Sequence, residues 1–169
     1  MIGVPAAKLD KIIDIMTVGT KATIPATAKI GEDSGLETTV SKTTKTDYKS
    51  PATYYAIPNN GSIKFKTTTT AGKKDVIVYM GYTGSVSTST STKLSAAISL
   101  KIDDAEQTIA STKNLWQAGF GSTQQDNRIG YMFNILGNYD FTAAEHTIEI
   151  GVKTGTFNIA SIVVADHAA

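Results

Sequence analysis

From about residue 20 onward, apolar and polar residues alternate with a period of two over several short segments. The alternation is cleanest in residues 94–102, 129–135 and 148–152, whereas residues 75–82 are apolar on both faces, as in a central strand. Residues 157–164 form one more apolar segment near the end of the chain. Gly, Asn, Asp and Ser separate the segments, and Asn60-Gly61 favours a tight turn before the strand led by Ile63. This pattern predicts an all-β sandwich of jelly-roll type. Its core or core edge should be formed by Trp116 and the strand residues Val76, Val78, Ile98, Leu100, Tyr131, Phe133, Ile148 and Ile150.

One segment near the N-terminus has a helical period instead. Leu9, Ile12, Ile13 and Met16 follow the spacing of one helical face, and Pro5 suits a first helical turn. So short a helix is marginal alone, so its apolar stripe is expected to pack on this domain or on a neighbouring subunit. We therefore predict a helical arm over residues 1–19 and a β-sandwich domain over residues 20–169.

Composition supports an all-β domain and excludes sites that depend on cysteine. Threonine and serine make up more than a fifth of the 169 residues, and β-branched threonine favours strands. The hydroxyl-rich tract from Ser85 to Thr92 has no large apolar side chain beyond Val86, which predicts a mobile loop at one end of the sandwich. The chain has no cysteine, which excludes disulfides and thiolate metal sites.

Charge and motifs disfavour several functions. A net charge of +1 gives no field that would attract nucleic acid, and no apolar run is long enough to span a membrane. The two histidines, His146 and His167, lie apart, and no P-loop or dinucleotide motif is present, so we do not expect an enzyme. Binding of a structural calcium ion is left open, because calcium ligands in loops form no recognisable sequence motif. Its candidate ligands are Glu32, Asp33, Asp47 and Asp166.

Four segments carry a resemblance to a known family. They are TYYAIPNNGSIKF from Thr53, TTAGKKDVIVYMGYTG from Thr69, LSAAISLKIDD from Leu94 and FTAAEHTIEIGVKTGTFNIASIVV from Phe141. Their order resembles carbohydrate-binding modules of the galactose-binding-like jelly-roll superfamily, especially the family 6 and family 35 types. The resemblance covers about two thirds of the chain and implies a β-sandwich that binds a glycan without catalysis.

The resemblance also implies site residues. Tyr54 or Tyr55 falls near the family's first stacking aromatic, Trp116 near the second, and Asn158 at the asparagine that bonds sugar hydroxyls. An aromatic ring can stack on the apolar C–H face of a pyranose, while amides bond its hydroxyls. Two positions depart from the family pattern: Ala160 replaces an aspartate, and residues 22–29 lack the acid that helps to bind calcium.

Two functional hypotheses follow. The first is a non-catalytic glycan-binding module that works outside the cell or at its surface as part of a larger protein. The second is a structural subunit of a virion, tail, fibre or surface layer, whose partners are neighbouring subunits. The first is the leading hypothesis, and it rests on Tyr54, Tyr55, Trp116 and Asn158. The second is the alternative, and it rests on the amphipathic segment, the hydroxyl-rich loops and the charges at Lys8, Asp10, Lys11 and Asp14, which interrupt any apolar core of a signal peptide.

Overall fold

The computed structural model describes residues 37–38, 42–44, 53–119 and 130–167, without the side chains of residues 37–38, 42–44, 53 and 86. In this part of the chain the strands are β1 (Glu37–Thr38), β2 (Lys42–Thr44), β3 (Thr53–Ile57), β4 (Ser62–Thr68), β5 (Gly72–Thr83), β6 (Ile98–Ile102), β7 (Ala105–Gln107), β8 (Met132–Phe141), β9 (Glu145–Val152) and β10 (Thr156–Asp166). The helices are α1 (Val86–Ser91), α2 (Leu94–Ala97) and a 3₁₀ helix (Leu115–Gln117).

The strands form two five-stranded antiparallel sheets. Sheet I has the order β1-β4-β9-β6-β7, and sheet II has the order β2-β3-β10-β5-β8. Strand β5 is paired on both sides, with β10 and β8, so the prediction of a central strand over residues 75–82 is confirmed. The predicted all-β jelly-roll sandwich is confirmed as well. No helix among the described residues is long and apolar enough to cross a membrane.

The core lies between the two sheets and is supplied by alternate strand residues. In β9 every second residue is buried, and β6 repeats this pattern, because successive side chains of a strand point to opposite faces. Leu100 of β6, Ile148 of β9 and Phe157 of β10 are fully buried in this core. The predicted core positions Val76, Val78, Ile98, Leu100, Ile148 and Ile150 all lie in it.

The loops gather at two ends of the sandwich. At the first, called here the helical end, α1, α2 and the 3₁₀ helix lie with the β3–β4 and β9–β10 turns. Backbone bonds join these parts: Asn60 N–H donates to the Val152 carbonyl at 2.8 Å, and Lys153 N–H to the Ala97 carbonyl at 2.7 Å. The opposite end holds the β6–β7, β8–β9 and β4–β5 turns. The predicted Asn-Gly turn is confirmed, with Asn60 at a φ of 63° and a Gly61 N–H bond to the Pro58 carbonyl.

Some sequence predictions are corrected. The tract from Ser85 to Thr92 contains the ordered helix α1, because the Ser85 hydroxyl caps it by accepting from the Thr88 N–H. The strand expected from Leu94 begins only at Ile98, since residues 94–97 form α2 and bury Leu94 and Ala97 three positions apart.

Of the three aromatic residues expected in the core or at its edge, Tyr131 is buried as expected, in a smaller hydrophobic cluster on the outer face of sheet II. Phe133 is half-buried against Tyr79 on that face, and Trp116 lies outside the core with 41% of its surface exposed. The predicted arm over residues 1–19 and the calcium candidates Glu32, Asp33 and Asp47 lie outside the described residues.

Candidate functional site

The outer face of sheet II carries a row of aromatic rings. Tyr54 of β3 and Tyr131, just before β8, bring their ring centroids to 5.9 Å, although β10 and β5 lie between their strands. The Tyr79 ring lies 5.8 Å from Tyr131 and stacks on Phe133 at 4.4 Å. The outer face of sheet I differs, because it carries ion pairs such as Lys66 with Glu145. The two faces of the sandwich are therefore chemically distinct.

Asn158 and Ala160 of β10 lie beneath this row of rings. The Asn158 Nδ2 donates to the Tyr131 hydroxyl at 2.8 Å, and the side chain of Asn158 is buried. Ala160 sits at an irregularity of the β10–β5 pairing and packs in the same cluster as Tyr54 and Tyr131. An aspartate at 160 would place a carboxylate among these rings, which gives a physical reason for alanine at the first position that departs from the family pattern.

Little of this ring row is open to a ligand. Tyr54 is 5% exposed and Tyr131 8%, while Tyr79 and Phe133 are half-buried. Burial raises the pKa of the Tyr79 phenol, so this ring stays neutral at physiological pH. The row is thus chiefly a packed aromatic layer, and ligand contact there is limited to the half-buried rings.

Trp116 presents a different surface at the helical end. The 3₁₀ helix that carries it is anchored by the fully buried Leu115 and closed by a bond from the Asn114 N–H to the Gln117 Oε1 at 2.9 Å. The indole is one of two exposed large apolar side chains in the described residues, the other being Ile135. An exposed indole on a fixed backbone can stack against a flat apolar surface while its N–H donates a hydrogen bond.

Helix α1 lies against the Trp116 segment. Leu115 N–H donates to the Thr92 carbonyl at 3.1 Å, and Leu94 N–H donates to the Lys113 carbonyl at 2.9 Å. Ser87, Thr90 and Ser91 of α1 are exposed and add hydroxyl groups to the helical end. This end therefore combines one aromatic platform with hydroxyl groups and with the exposed side chains of Lys93 and Lys153, and an indole beside hydroxyls suits a hydroxylated ligand.

The structure separates the four predicted site residues into three places. Tyr54 and Asn158 share the ring row through Tyr131, Tyr55 is 2% exposed inside the core, and Trp116 stands at the helical end. Tyr79 and Phe133 of the ring row were missed by sequence reasoning. Their signal was the period-two pattern, which placed both on strands but did not say which face they occupy.

Titratable groups cluster at the opposite end. The His146 Nδ1 lies 2.6 Å from the Asp103 Oδ2, and its Nε2 lies 3.3 Å from the Thr142 hydroxyl and 3.2 Å from the Thr142 carbonyl. A carboxylate, imidazole and hydroxyl in line resemble a hydrolytic triad. A proton on Nε2 would serve the carbonyl, which can only accept, and in that form Nε2 cannot take a proton from the hydroxyl. The bond to Asp103 also raises the pKa of His146, which favours the imidazolium.

Metal ligands are not grouped in the described part of the chain. No set of three or more His, Cys, Asp or Glu side chains there could hold an ion. The remaining calcium candidate, Asp166, pairs with the buried ammonium of Lys74. Within these residues, carboxylates serve as ion-pair partners.

Comparison with known proteins identifies the fold. The structure is similar to a family 35 carbohydrate binding module from an environmental isolate, with a TM-score of 0.54 and 15% identity over 82% of this chain and 91% of that chain. It is also similar to a cycloisomaltooligosaccharide glucanotransferase of Paenibacillus sp. complexed with cycloisomaltoheptaose, with a TM-score of 0.53 and 14% identity over 80% of this chain. The chain spans 17% of the length of that enzyme.

No protein-family model and no curated protein sequence matches the chain. The resemblance to family 35 modules that the sequence predicted is confirmed by the structural comparison, and the domain has a jelly-roll fold of this type.

Proposed function

We propose that this domain binds a glycan without catalysis and that Trp116 is the platform on which a sugar ring stacks. The observation that carries the proposal is the 41% exposed indole, held at the helical end by the buried Leu115. An indole that stays in water in the folded domain gains no burial free energy from folding, so a ligand that covers it gains that free energy on binding.

The surroundings of Trp116 suit a sugar. A pyranose offers one apolar C–H face for the indole and a rim of hydroxyls for polar partners. Gln117 and the exposed Ser87, Thr90 and Ser91 supply such partners near the platform. A shallow, solvated surface gains little free energy per contact, so the dissociation constant should lie roughly between micromolar and millimolar.

The fold likeness supports the same proposal. One similar structure is described as a carbohydrate binding module, and the other belongs to an enzyme complexed with a cyclic oligosaccharide. This likeness supports the binding module over the assembly subunit that the sequence left open. We also propose that the domain works outside the cell or at its surface, within a larger protein, where such a module would hold its partner near a polysaccharide.

The other predicted contacts stay predictions. Tyr54, Tyr55 and Asn158 are each at most 5% exposed, so a sugar would reach them only after a rearrangement of sheet II. We therefore assign the primary contact to Trp116 and give Tyr54 and Asn158 a supporting role in the packing of the sheet.

Isothermal titration against plant and microbial glycans tests the proposal. We expect heat with at least one glycan and an affinity at least about fivefold lower for Trp116→Ala, since a stacked aromatic contributes about 1 kcal/mol or more. Ile135→Ala is the matched control, because Ile135 is 48% exposed but lies on β8 away from the 3₁₀ helix. The proposal fails if no glycan binds, or if Trp116→Ala and Ile135→Ala bind equally well.

A further inference from the structure

Asn134 is a fully buried polar residue on an otherwise apolar face. It lies on β8 two positions before the core residue Leu136, and both side chains are 0% exposed. Burying an amide costs free energy unless its donors and acceptors are paired. The side chain of Asn134 therefore needs partners that an apolar residue at this position would not need.

Two of its three partners lie on either side of Trp116 in the chain. The Asn134 Nδ2 donates to the Ala118 carbonyl at 2.7 Å and to the Met132 carbonyl at 2.9 Å. Its Oδ1 accepts from the Lys113 Nζ at 3.2 Å. One amide thus fixes a backbone group two residues after Trp116 and a side chain three residues before it.

Backbone hydrogen bonds also attach both ends of this segment to neighbouring elements. Leu115 N–H reaches Thr92 on one side, and Tyr82 N–H reaches the Gly119 carbonyl at 2.9 Å on the other. Burial lowers the pKa of the Lys113 ammonium, which agrees with its enclosed position beside Asn134. Asn134 is the side-chain link between Lys113–Ala118 and the strand β8, and it lies beside the backbone bridge of Gly119 with Tyr131.

We infer that Asn134 is a positioning residue that holds the Trp116 platform in its binding orientation. The inference rests on the proposed function, because a binding orientation matters only if Trp116 contacts a glycan. Whether the Trp116 segment is held in place can be measured without a ligand. Replacing the amide by an apolar group leaves the Ala118 carbonyl and the Lys113 ammonium without this partner, so the segment should loosen while the sandwich keeps its core.

The test compares Asn134→Leu with Leu136→Ala, a control on the same face of β8 that makes no side-chain bond to the segment. Trp116 is the single tryptophan, so its fluorescence quenching by acrylamide reports on this segment alone. We expect quenching of Asn134→Leu to rise and its glycan affinity to fall about tenfold, the loss expected for one or two buried hydrogen bonds. Leu136→Ala should lower the thermal midpoint without either effect at temperatures well below that midpoint.

Asn134→Asp provides a second variant if the leucine variant does not fold. It keeps an acceptor for Lys113 but loses the donor to Ala118, so quenching should again exceed that of the wild-type protein. Unchanged quenching in a folded Asn134 variant, or an equal rise in Leu136→Ala, would overturn the inference. A wild-type protein that binds no glycan but shows the quenching difference would refute the proposed function and leave the fixation of Trp116 standing.

Discussion

At the scale of single residues, His146 and Asp103 form a close pair at the opposite end, which is an ion pair when the imidazole is protonated. The Asp103 Oδ1 accepts from the Thr147 N–H at 2.8 Å while its Oδ2 faces His146. The Thr147 N–H and the His146 ring hold the pKa of Asp103 below its usual value, and Asp103 raises that of His146. The pair therefore couples stability to pH in both directions.

The sign of this coupling gives a prediction. The stabilisation from His146 is complete below its unfolded pKa of 6.5 and is lost as pH rises through the higher folded pKa. The stabilisation from Asp103 is present above its unfolded pKa of 3.8 and is lost as pH falls through the lower folded pKa. Urea unfolding as a function of pH should show both losses.

Two adjacent aspartates allow a matched comparison for this prediction. Asp103 and Asp104 both have positive φ values, which asparagine also tolerates, but the Asp104 carboxylate pairs with Lys64. Asp103→Asn should remove the loss of stability above about pH 6.5, whereas Asp104→Asn should keep it. Equal pH profiles for the two variants would contradict the assignment.

Ile148 tests the core assignment at the same scale. Its side chain is fully buried between the sheets, so Ile148→Ala should cost about 2–5 kcal/mol of the free energy of unfolding. Thr147→Ala is the control, because Thr147 is half-buried on the other face of β9. Chemical denaturation measures the free energy of unfolding of both variants. If Ile148→Ala lost no more stability than Thr147→Ala, the assignment of the buried face of β9 would be wrong.

At the scale of elements, α1 shows how hydroxyl groups can order a short helix. The Ser91 hydroxyl donates to the Ser87 carbonyl at 2.8 Å, and Thr90 donates to the same carbonyl at 3.1 Å. Ser89 is fully buried, and the Tyr82 hydroxyl is bonded to Thr88. The tract thus obtains its order from capping and docking, which do not depend on large apolar side chains.

The helix α1 carries the next prediction. Ser85→Ala removes the cap and should lower the free energy of unfolding by about 0.5–2 kcal/mol, whereas replacement of the exposed α2 serine by Ser95→Ala should lower it less.

Replacing residues 85–92 by a Gly-Ser linker should lower the thermal midpoint clearly, because the Thr92 carbonyl then loses its fixed place beside Leu115. A linker variant with an unchanged midpoint would show that α1 contributes no stability.

The elements also show what the sequence could and could not predict. Period-two alternation located β9, which has one buried face, and continuous apolar runs located β5 and β10, which are buried on both faces. Period-two alternation wrongly placed residues 94–97 in a strand. Four residues with two buried side chains, Leu94 and Ala97, are too few to distinguish a strand from a helix. Tyr54 and Asn158 met in the ring row through the sheet order β3-β10-β5-β8, which no local pattern encodes.

At the scale of the whole molecule, the sandwich separates its chemistry by location. The opposite end holds the pairs His146–Asp103 and His167–Asp75, each at 2.6 Å. The helical end holds Trp116, α1 and the bonds of Asn134. The proposed function uses the helical end, whereas the ring row of sheet II is chiefly a packed aromatic layer.

The most direct test follows the indole N–H of Trp116, the only one in the chain, in a ¹H–¹⁵N spectrum during titration with a glycan that gives heat. We predict that this resonance shifts saturably, together with amides of Gln117 and of α1, while amides around Tyr54 and His146 stay in place. Saturable shifts confined to Tyr79, Phe133 and their neighbours, with the Trp116 indole unmoved, would contradict this prediction.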